Sequence, residues 1–139
     1  MKLKQNKSGF TLLEIIIVII IVGVLASLAL PRFFATVEFS KSTEALNALA
    51  TLRQSMERCY LASGGTYVGC AVANLDVEDP ALSPGARFTY VASGQVATGY
   101  TLLATRNAVD GGDGTSTISI VQSATGVTRA GTGKFIGIK

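Results

Sequence analysis

The chain has 139 residues, 48% of them hydrophobic, and carries a formal net charge of +3. It contains no His, which excludes a Ser-His-Asp or Cys-His nucleophile and any imidazole metal site. No Gly-rich loop ending in Gly-Lys-Ser or Gly-Lys-Thr is present either, so the sequence does not indicate an enzyme.

The amino-terminal residues carry the whole charge excess. Lys2, Lys4 and Lys7 are three of the twelve basic residues, and the nine that remain balance nine acidic residues. This balance argues against a strongly basic nucleic-acid surface, so a nucleic-acid partner is not indicated. Positive charges ahead of an apolar segment favour a cytoplasmic amino terminus and an exported remainder.

An apolar stretch from Phe10 to Leu30 dominates the sequence, with Glu14 as its single charged residue. As a helix these 21 residues are about 30 Å long, which matches the hydrocarbon core of a bilayer. The stretch is apolar on every face, so it must lie in lipid or among other apolar helices. A signal-peptidase site within residues 26–29 is one alternative, and a cut between Gly9 and Phe10 is the other.

The residues around this junction resemble the amino terminus of type IV pilins and pseudopilins. The resemblance rests on KSGFTLLE at residues 7–14, on the apolar run and on Pro31. It implies that prepilin peptidase cuts between Gly9 and Phe10, and that the new amine of Phe10 is methylated. It also implies that Glu14 registers an incoming subunit in a filament. The cost of an unpaired carboxylate in a membrane helix supports that role, and solvation of Glu14 among lipid head groups is the alternative.

A second helical stretch is expected from Pro31 to about Ala62. Pro31 lacks an amide hydrogen, so a kink is expected there, and Gly23 is a second weak point in the helix. By resemblance to assembled pili, the helix between these two residues stretches or unwinds in a filament, with a simple bend as the alternative. Further along, apolar residues recur at spacings of four and three, which predicts one face packed on a sheet rather than a coiled coil. These residues are Ala45, Leu49, Leu52, Met56 and Cys59.

Two cysteines bracket the predicted end of this helix at Gly64-Gly65. Because this part of the chain is expected outside the membrane, Cys59 and Cys70 predict a disulfide, with two buried free thiols as the alternative. An irregular connector with one helical turn is expected over residues 71–87.

The carboxy-terminal third has the alternation and turn residues of a small antiparallel sheet. Strands are predicted at 88–92, 100–105 and 117–121, with a short fourth strand at 127–129, and Ser93-Gly94 is predicted as the first turn. Asp110 and Asp113 lie in a later Gly-rich turn and are weak candidates for calcium, which the resemblance to major pseudopilins also suggests. A plain Asp/Gly turn is the alternative, and no other cofactor is expected.

The predicted fold is therefore α+β, with a long amino-terminal helix, membrane-spanning in its first half, packed against three or four antiparallel strands. The expected organisation is a cleaved leader at 1–9, a transmembrane and filament-core helix at 10–31, and a globular head at 32–139. A structural subunit of a type IV pilus is expected. The alternatives are a type II secretion pseudopilin and a membrane-anchored binding module that does not polymerise.

The resemblance also implies the partners and location of such a subunit. It would reside in the inner membrane as a single-pass protein with a cytoplasmic amino terminus, in contact with lipid, before it joins an extracellular pilus. Its partners would be copies of itself, prepilin peptidase, and an inner-membrane assembly platform with a cytoplasmic ATPase.

Overall fold

The computed structural model describes residues 9–139. The three amino-terminal lysines and all of the expected leader except Gly9 therefore lie outside the described residues. The helices are α1 (Leu12–Ser40) and α2 (Ser42–Ala62). The strands are β1 (Phe88–Val96), β2 (Gly99–Arg106), β3 (Thr117–Ser123) and β4 (Gly126–Gly131). A long amino-terminal helix that packs on an antiparallel sheet confirms the α+β prediction.

Helix α1 begins at a polar cap and passes through Pro31 without ending. The backbone N–H of Glu14 donates to Thr11 Oγ1 at 3.2 Å, so the hydroxyl satisfies one of the free amides of the first turn. Among the described residues this is the one helix long and apolar enough to cross a membrane. The chain divides into two units, of which the first ends at Thr36 and the second is Val37–Lys139.

The two helices meet at Lys41, not at Pro31 where the second helical stretch was expected to begin. At this junction the Lys41 N–H donates to the Glu38 carbonyl at 3.1 Å, and the Glu44 N–H donates to the Lys41 carbonyl at 3.1 Å. Both bonds span three residues, so the chain tightens locally as in a 3₁₀ turn. Pro31 lies inside α1, in line with the expectation that it need not end the helix, and the boundary between the two helices is ten residues further on.

Helix α2 packs on β2 and β3 through the apolar stripe predicted from the spacing. Ala45, Leu49, Leu52 and Met56 are fully buried, which confirms the prediction. The same spacing extends backwards through Ser42 to Glu38, two polar residues that are also buried. The rest of the core comes from the sheet, from the segment that follows α2 and from the chain end. Its fully buried aromatic and large aliphatic members in the sheet and chain end are Phe88, Tyr100, Leu102, Ile118, Ile120 and Phe135.

The sheet is an antiparallel meander in the order β1-β2-β3-β4. All four predicted strands are present, but the turn predicted at Ser93-Gly94 is wrong, because β1 continues to Val96. Val96 pairs with Gly99, which leaves residues 97–98 as the hairpin turn. Gly94 has φ +61° and lies where the register shifts between Ser93 and Val96, so the glycine serves a bulge within the strand.

The connections between the elements complete the core. Helix α2 ends at Ala62 and is followed by Gly64 and Gly65 with positive φ, as the sequence predicted. The connector at 71–87 contains two short 3₁₀ turns, Val72–Asn74 and Pro80–Leu82, where one helical turn was expected. After β4 a third such turn, Gly133–Phe135, brings the Phe135 ring to 5.6 Å from that of Phe88.

Candidate assembly helix and buried ion network

Nearly the whole of α1 exposes apolar side chains, on all of its faces. From Leu12 to Val37, every large apolar side chain is at least 38% exposed. Each square ångström of apolar surface left in water costs about 25 cal/mol, so this surface requires lipid or other protein chains as its surroundings. The helix can therefore anchor the chain or pack against copies of itself.

The residues expected to be processed and to direct assembly lie at the start of this helix. Gly9 and Phe10 precede α1 and are exposed, so the peptide bond between them is accessible. Glu14 lies in the first turn, where the positive end of the helix dipole favours a carboxylate. Its side chain forms no ion pair within residues 9–139. Gly23 and Pro31 both lie inside the helix, so their expected role in flexibility stays a prediction.

A buried ion network surrounds Glu38 in the second unit. Arg106 Nε donates to Glu38 Oε1 at 2.6 Å, and Lys41 Nζ donates to Glu38 Oε2 at 3.0 Å. The Arg106 side chain is fully buried and that of Glu38 is 8% exposed. Burial alone would raise the pKa of Glu38, but hydrogen bonds from Arg106 and Lys41 and their positive charges outweigh it. The pKa of Glu38 therefore lies below its ordinary value.

The guanidinium of Arg106 also holds the loop that follows β2. Its Nη1 donates to the carbonyls of Arg87 and Asn107 at 3.1 Å each, and its Nη2 donates to the carbonyl of Asp110 at 3.3 Å. A Cβ at Gly112 would overlap both the Asn107 carbonyl and the guanidinium, so the loop closes this tightly only with glycine there. These bonds satisfy most of the donors of a cation that would otherwise be buried at high cost.

Arg87 extends the network towards the solvent. Its Nη1 donates to Glu44 Oε2 and its Nε donates to Asp110 Oδ2, both at 3.1 Å. Lys41 Nζ reaches the same loop, at 2.7 Å from the Asp110 carbonyl. Lys41 thus binds this loop directly, whereas Glu44 reaches it only through Arg87. The network connects the start of α2 to the loop between β2 and β3.

Sequence reasoning missed Glu38 and Arg106, although both follow a visible pattern. Tyr100, Leu102 and Ala104 alternate as buried residues along β2, and Arg106 continues the same alternation. An arginine at such a position needs an acidic partner, and Glu38 continues the buried stripe of the helix. If the buried stripe of the helix had been followed back to Glu38, and the buried alternation of β2 forward to Arg106, the two residues would have been recognised as a pair.

The disulfide predicted between Cys59 and Cys70 is confirmed, with the two Cα atoms 6.0 Å apart. It closes a loop that folds Tyr67 into the core. The Tyr67 ring lies 4.6 Å from that of Tyr60 and 4.7 Å from that of Tyr100. Its hydroxyl donates to Glu57 Oε2 at 3.0 Å, and burial, together with this carboxylate, raises the pKa of Tyr67. The bridge thus fixes an aromatic residue that packs between helix and sheet.

A second ion pair lies near this disulfide, at the far end of α2. Arg58 Nη2 donates to Asp76 Oδ1 at 2.9 Å, and Ser55 Oγ and Arg58 Nε also donate to this carboxylate. The Arg58 and Ser55 hydrogen bonds lower the pKa of Asp76 to about 2. Both charged side chains are about half exposed, so the pair is a solvated brace between α2 and the connector.

The two carboxylates considered for calcium are both bound to protein groups. Asp113 accepts hydrogen bonds from the N–H groups of Thr115 and Ser116 at 3.0 and 2.9 Å and from Ser116 Oγ, which together hold the pKa of Asp113 far below its usual range. Asp110 pairs with Arg87. Over residues 9–139, no group of three His, Cys, Asp or Glu side chains is placed to hold a metal ion. Calcium binding at this turn stays a prediction.

Comparison with known proteins identifies a family motif at the amino terminus and several related proteins. Residues 4–30 match the family model described as the prokaryotic N-terminal methylation motif. The type IV major fimbrial protein FimA of Dichelobacter nodosus is 30% identical over 96 residues, which cover 67% of this chain and 60% of that protein. No solved structure matches the chain significantly.

Two further relatives match over shorter lengths. The type II secretion system core protein G of Aeromonas hydrophila is 37% identical over 54 residues, or 39% of this chain and 38% of that protein. A probable minor fimbrial protein of D. nodosus is 46% identical over 65 residues, or 47% of this chain and 40% of that protein. The chain thus spans less than two thirds of the length of each of these relatives.

Proposed function

Because the chain belongs to the family of type IV pilins and pseudopilins, we propose that it is a structural subunit of a type IV pilus. As a member of this family it is a structural protein and not an enzyme. The proposal rests above all on the first half of α1, whose apolar side chains are exposed on every face. Such a helix is stable in a membrane and, after extraction, only in a bundle of similar helices.

Processing at the amino terminus would prepare the subunit for assembly. Prepilin peptidase would cut between Gly9 and Phe10 and methylate the new amine of Phe10. The match of residues 4–30 to the methylation motif supports this step, and so does the exposed position of both residues ahead of the helix. Residues 10–31 would then form the transmembrane segment and later the filament core, while residues 32–139 form the exported part.

Before assembly, the subunit would cross the inner membrane once with its amino terminus in the cytoplasm. Moving an apolar helix from lipid to a bundle gains little hydrophobic free energy, because lipid tails are equally apolar. Close packing, pairing of Glu14 with the amine of a neighbouring subunit, and external work must therefore drive extraction. A platform in the inner membrane and a cytoplasmic ATPase would supply that work.

A pseudopilin of a type II secretion system is the second candidate, favoured by the match to core protein G. The similarity to that protein spans 54 residues, whereas the similarity to the fimbrial protein FimA spans 96. The FimA alignment is too long to be confined to the amino-terminal helix, so it includes part of the sheet-bearing unit. This extent is why we prefer the pilus.

Deletion of the gene in the native organism tests the two candidates directly. A pilus subunit predicts that the mutant loses surface fibres seen by electron microscopy, and that sheared wild-type fibres contain a chain beginning with methylated Phe10. Loss of protein secretion with unchanged surface fibres would instead support the pseudopilin. A chain that keeps Met1 and never sediments as a polymer would overturn both and support a monomeric membrane-anchored binding protein.

A further inference from the structure

Two opposite charges mark the ends of the apolar stretch of α1. Between Gly9 and Thr36 the charged residues are Glu14 and Arg32. Both side chains are exposed, and neither forms an ion pair with any residue that the structure describes. If the helix is buried in a bundle, each of these charges needs a partner from another chain, because an unpaired charge in an apolar environment is very unfavourable.

The spacing of the two charges places them on one face of the helix. They are 18 residues apart, which is about five turns of 3.6 residues and about 27 Å along the axis. Helix α1 is continuous over this interval. The residues between them on the same face are all apolar, namely Val18, Ile21, Leu25 and Leu28. The face is thus an apolar stripe with a carboxylate at one end and a guanidinium at the other.

We propose that Glu14 of one subunit pairs with Arg32 of a parallel neighbour displaced by about 27 Å along the filament axis. This inference rests on the proposed function and adds to it the axial offset between two subunits in contact. At that offset the two stripes meet only at their charged ends, where the carboxylate of one subunit and the guanidinium of the other neutralise each other. Most other offsets leave a carboxylate and a guanidinium unpaired among apolar side chains, where the electrostatic penalty is largest.

The arrangement leads to an open polymer. Each subunit offers its Arg32 to a neighbour on the outer side and its Glu14 to a neighbour on the inner side. A head-to-tail contact of this kind does not close on itself when it carries a translation, so it continues as a filament. The carboxylate has two oxygens and can accept from a guanidinium and from a terminal amine at once, so this pairing is compatible with the role of the Phe10 amine.

Cysteine cross-linking in the full-length chain tests the offset. One turn beyond each charge, Val18 of the outer subunit lies level with Thr36 of the inner one, so the double variant Val18→Cys/Thr36→Cys should form intersubunit disulfides in fibres. Background exchange is low because Cys59 and Cys70 are already bonded to each other. The matched control is Val18→Cys/Leu25→Cys, which places both thiols on the same face at the wrong offset. Sheared fibres are oxidised and run on a non-reducing gel.

A ladder of dimers and higher oligomers is expected for the first variant and not for the control or either single variant. Fibres that assemble without a ladder, or an equal ladder in the control, would overturn the offset while leaving the pilus assignment intact. Absence of fibres from the wild-type organism would instead reject the proposed function.

If the double cysteine variant fails to assemble, substitution of Arg32 tests the proposed pairing of Glu14 with Arg32 without added cysteines. Arg32→Gln is expected to lower the yield of sheared fibres at least about tenfold, because it leaves Glu14 of the neighbour without its partner. Arg32→Lys retains the charge and is expected to keep most of the yield. Normal fibre yield from Arg32→Gln would overturn the proposal and leave Arg32 as a ligand of lipid phosphate at the membrane surface.

Discussion

Arg106 at the end of β2 donates a 2.6 Å hydrogen bond to Glu38 near the end of α1, joining two residues that are 68 positions apart in the chain. The pair lies at the point where the helix tightens at Lys41, and the same guanidinium holds the loop after β2. The buried guanidinium of Arg106 therefore holds both the carboxy-terminal end of α1 and the loop after β2 in place.

Replacement of Glu38 by Ala should strongly destabilise the second unit. The fully buried Arg106 would lose its carboxylate partner, and such a change lowers the free energy of unfolding by about 3–5 kcal/mol. The matched control is Glu44→Ala, which breaks a pair with Arg87 whose side chains are each more than a third exposed, and should cost about 1 kcal/mol or less. Urea unfolding of the full chain in detergent, followed by the near-ultraviolet circular dichroism of its tyrosines, measures both. Equal losses from the two variants would contradict the assignment.

Stability should fall as the pH is lowered below about 4, because two carboxylates that accept ion-pair hydrogen bonds have depressed pKa values. The pKa of Asp76 falls from 3.8 to about 2, and that of Glu38 lies below 4.5. A carboxylate with a depressed pKa stabilises the folded chain above its unfolded-state pKa and loses this effect as the pH falls through the folded-state pKa. Unfolding temperatures measured between pH 6 and pH 2 report the loss.

Two variants isolate the contribution of Asp76 to this pH dependence. Asp76→Asn removes the titrating group, and Arg58→Gln removes the largest cause of its lowered pKa. Both should make the decline of unfolding temperature between about pH 4 and pH 2 shallower to a similar extent. An unchanged slope in Asp76→Asn would show that this pair does not contribute to acid stability.

The elements with strong local signals were predictable from sequence, and the long-range polar contacts were not. Leu49 and Leu52 lie in a stripe whose period identifies both the helix and its buried face. Gly94 was misread as a turn residue because a positive φ serves a bulge as well as a hairpin turn, and only the pairing of Val96 with Gly99 distinguishes them. Glu38 and Arg106 were missed because sequence patterns do not report which buried charges meet across the fold.

The assembly residues illustrate a different limit. Glu14 was identified from sequence because a lone carboxylate in an apolar run is conspicuous. The partner that we propose for it belongs to another subunit, so the structure of one chain does not identify it. The disulfide could be predicted although it joins two separate elements. The chain has two cysteines, they bracket the end of a helix, and this part of the chain is expected outside the membrane, so Cys59 pairs with Cys70.

Removal of the disulfide should destabilise the chain and loosen the tyrosine cluster. Chain entropy for a loop of about 12 residues gives a stabilisation of about 3 kcal/mol, so Cys59→Ser/Cys70→Ser should lose approximately this amount in urea unfolding. Tyr67 lies inside the loop and packs on Tyr60 and Tyr100, so the near-ultraviolet dichroism of the folded variant should also weaken. A control with Ser63→Ala changes the same region without opening the loop. Unchanged stability and dichroism would mean that the bridge adds nothing to the packing of Tyr67.

Replacement of Glu14 by Ala should abolish filaments while leaving insertion and processing intact. The substitution makes the membrane segment more apolar, so its stability in lipid is not reduced, and the Gly9–Phe10 junction is unchanged. Assembly should fail because the amine of the neighbouring subunit would enter an apolar bundle without a carboxylate partner. Electron microscopy of the cells measures filaments, and amino-terminal sequencing of the membrane-bound chain measures cleavage.

The control is Ser27→Ala, which removes a hydroxyl that donates to the Val24 carbonyl of its own helix, and this variant should assemble normally. Normal filaments from Glu14→Ala would refute the role of this carboxylate, whereas an uncleaved chain would show that it acts in processing instead.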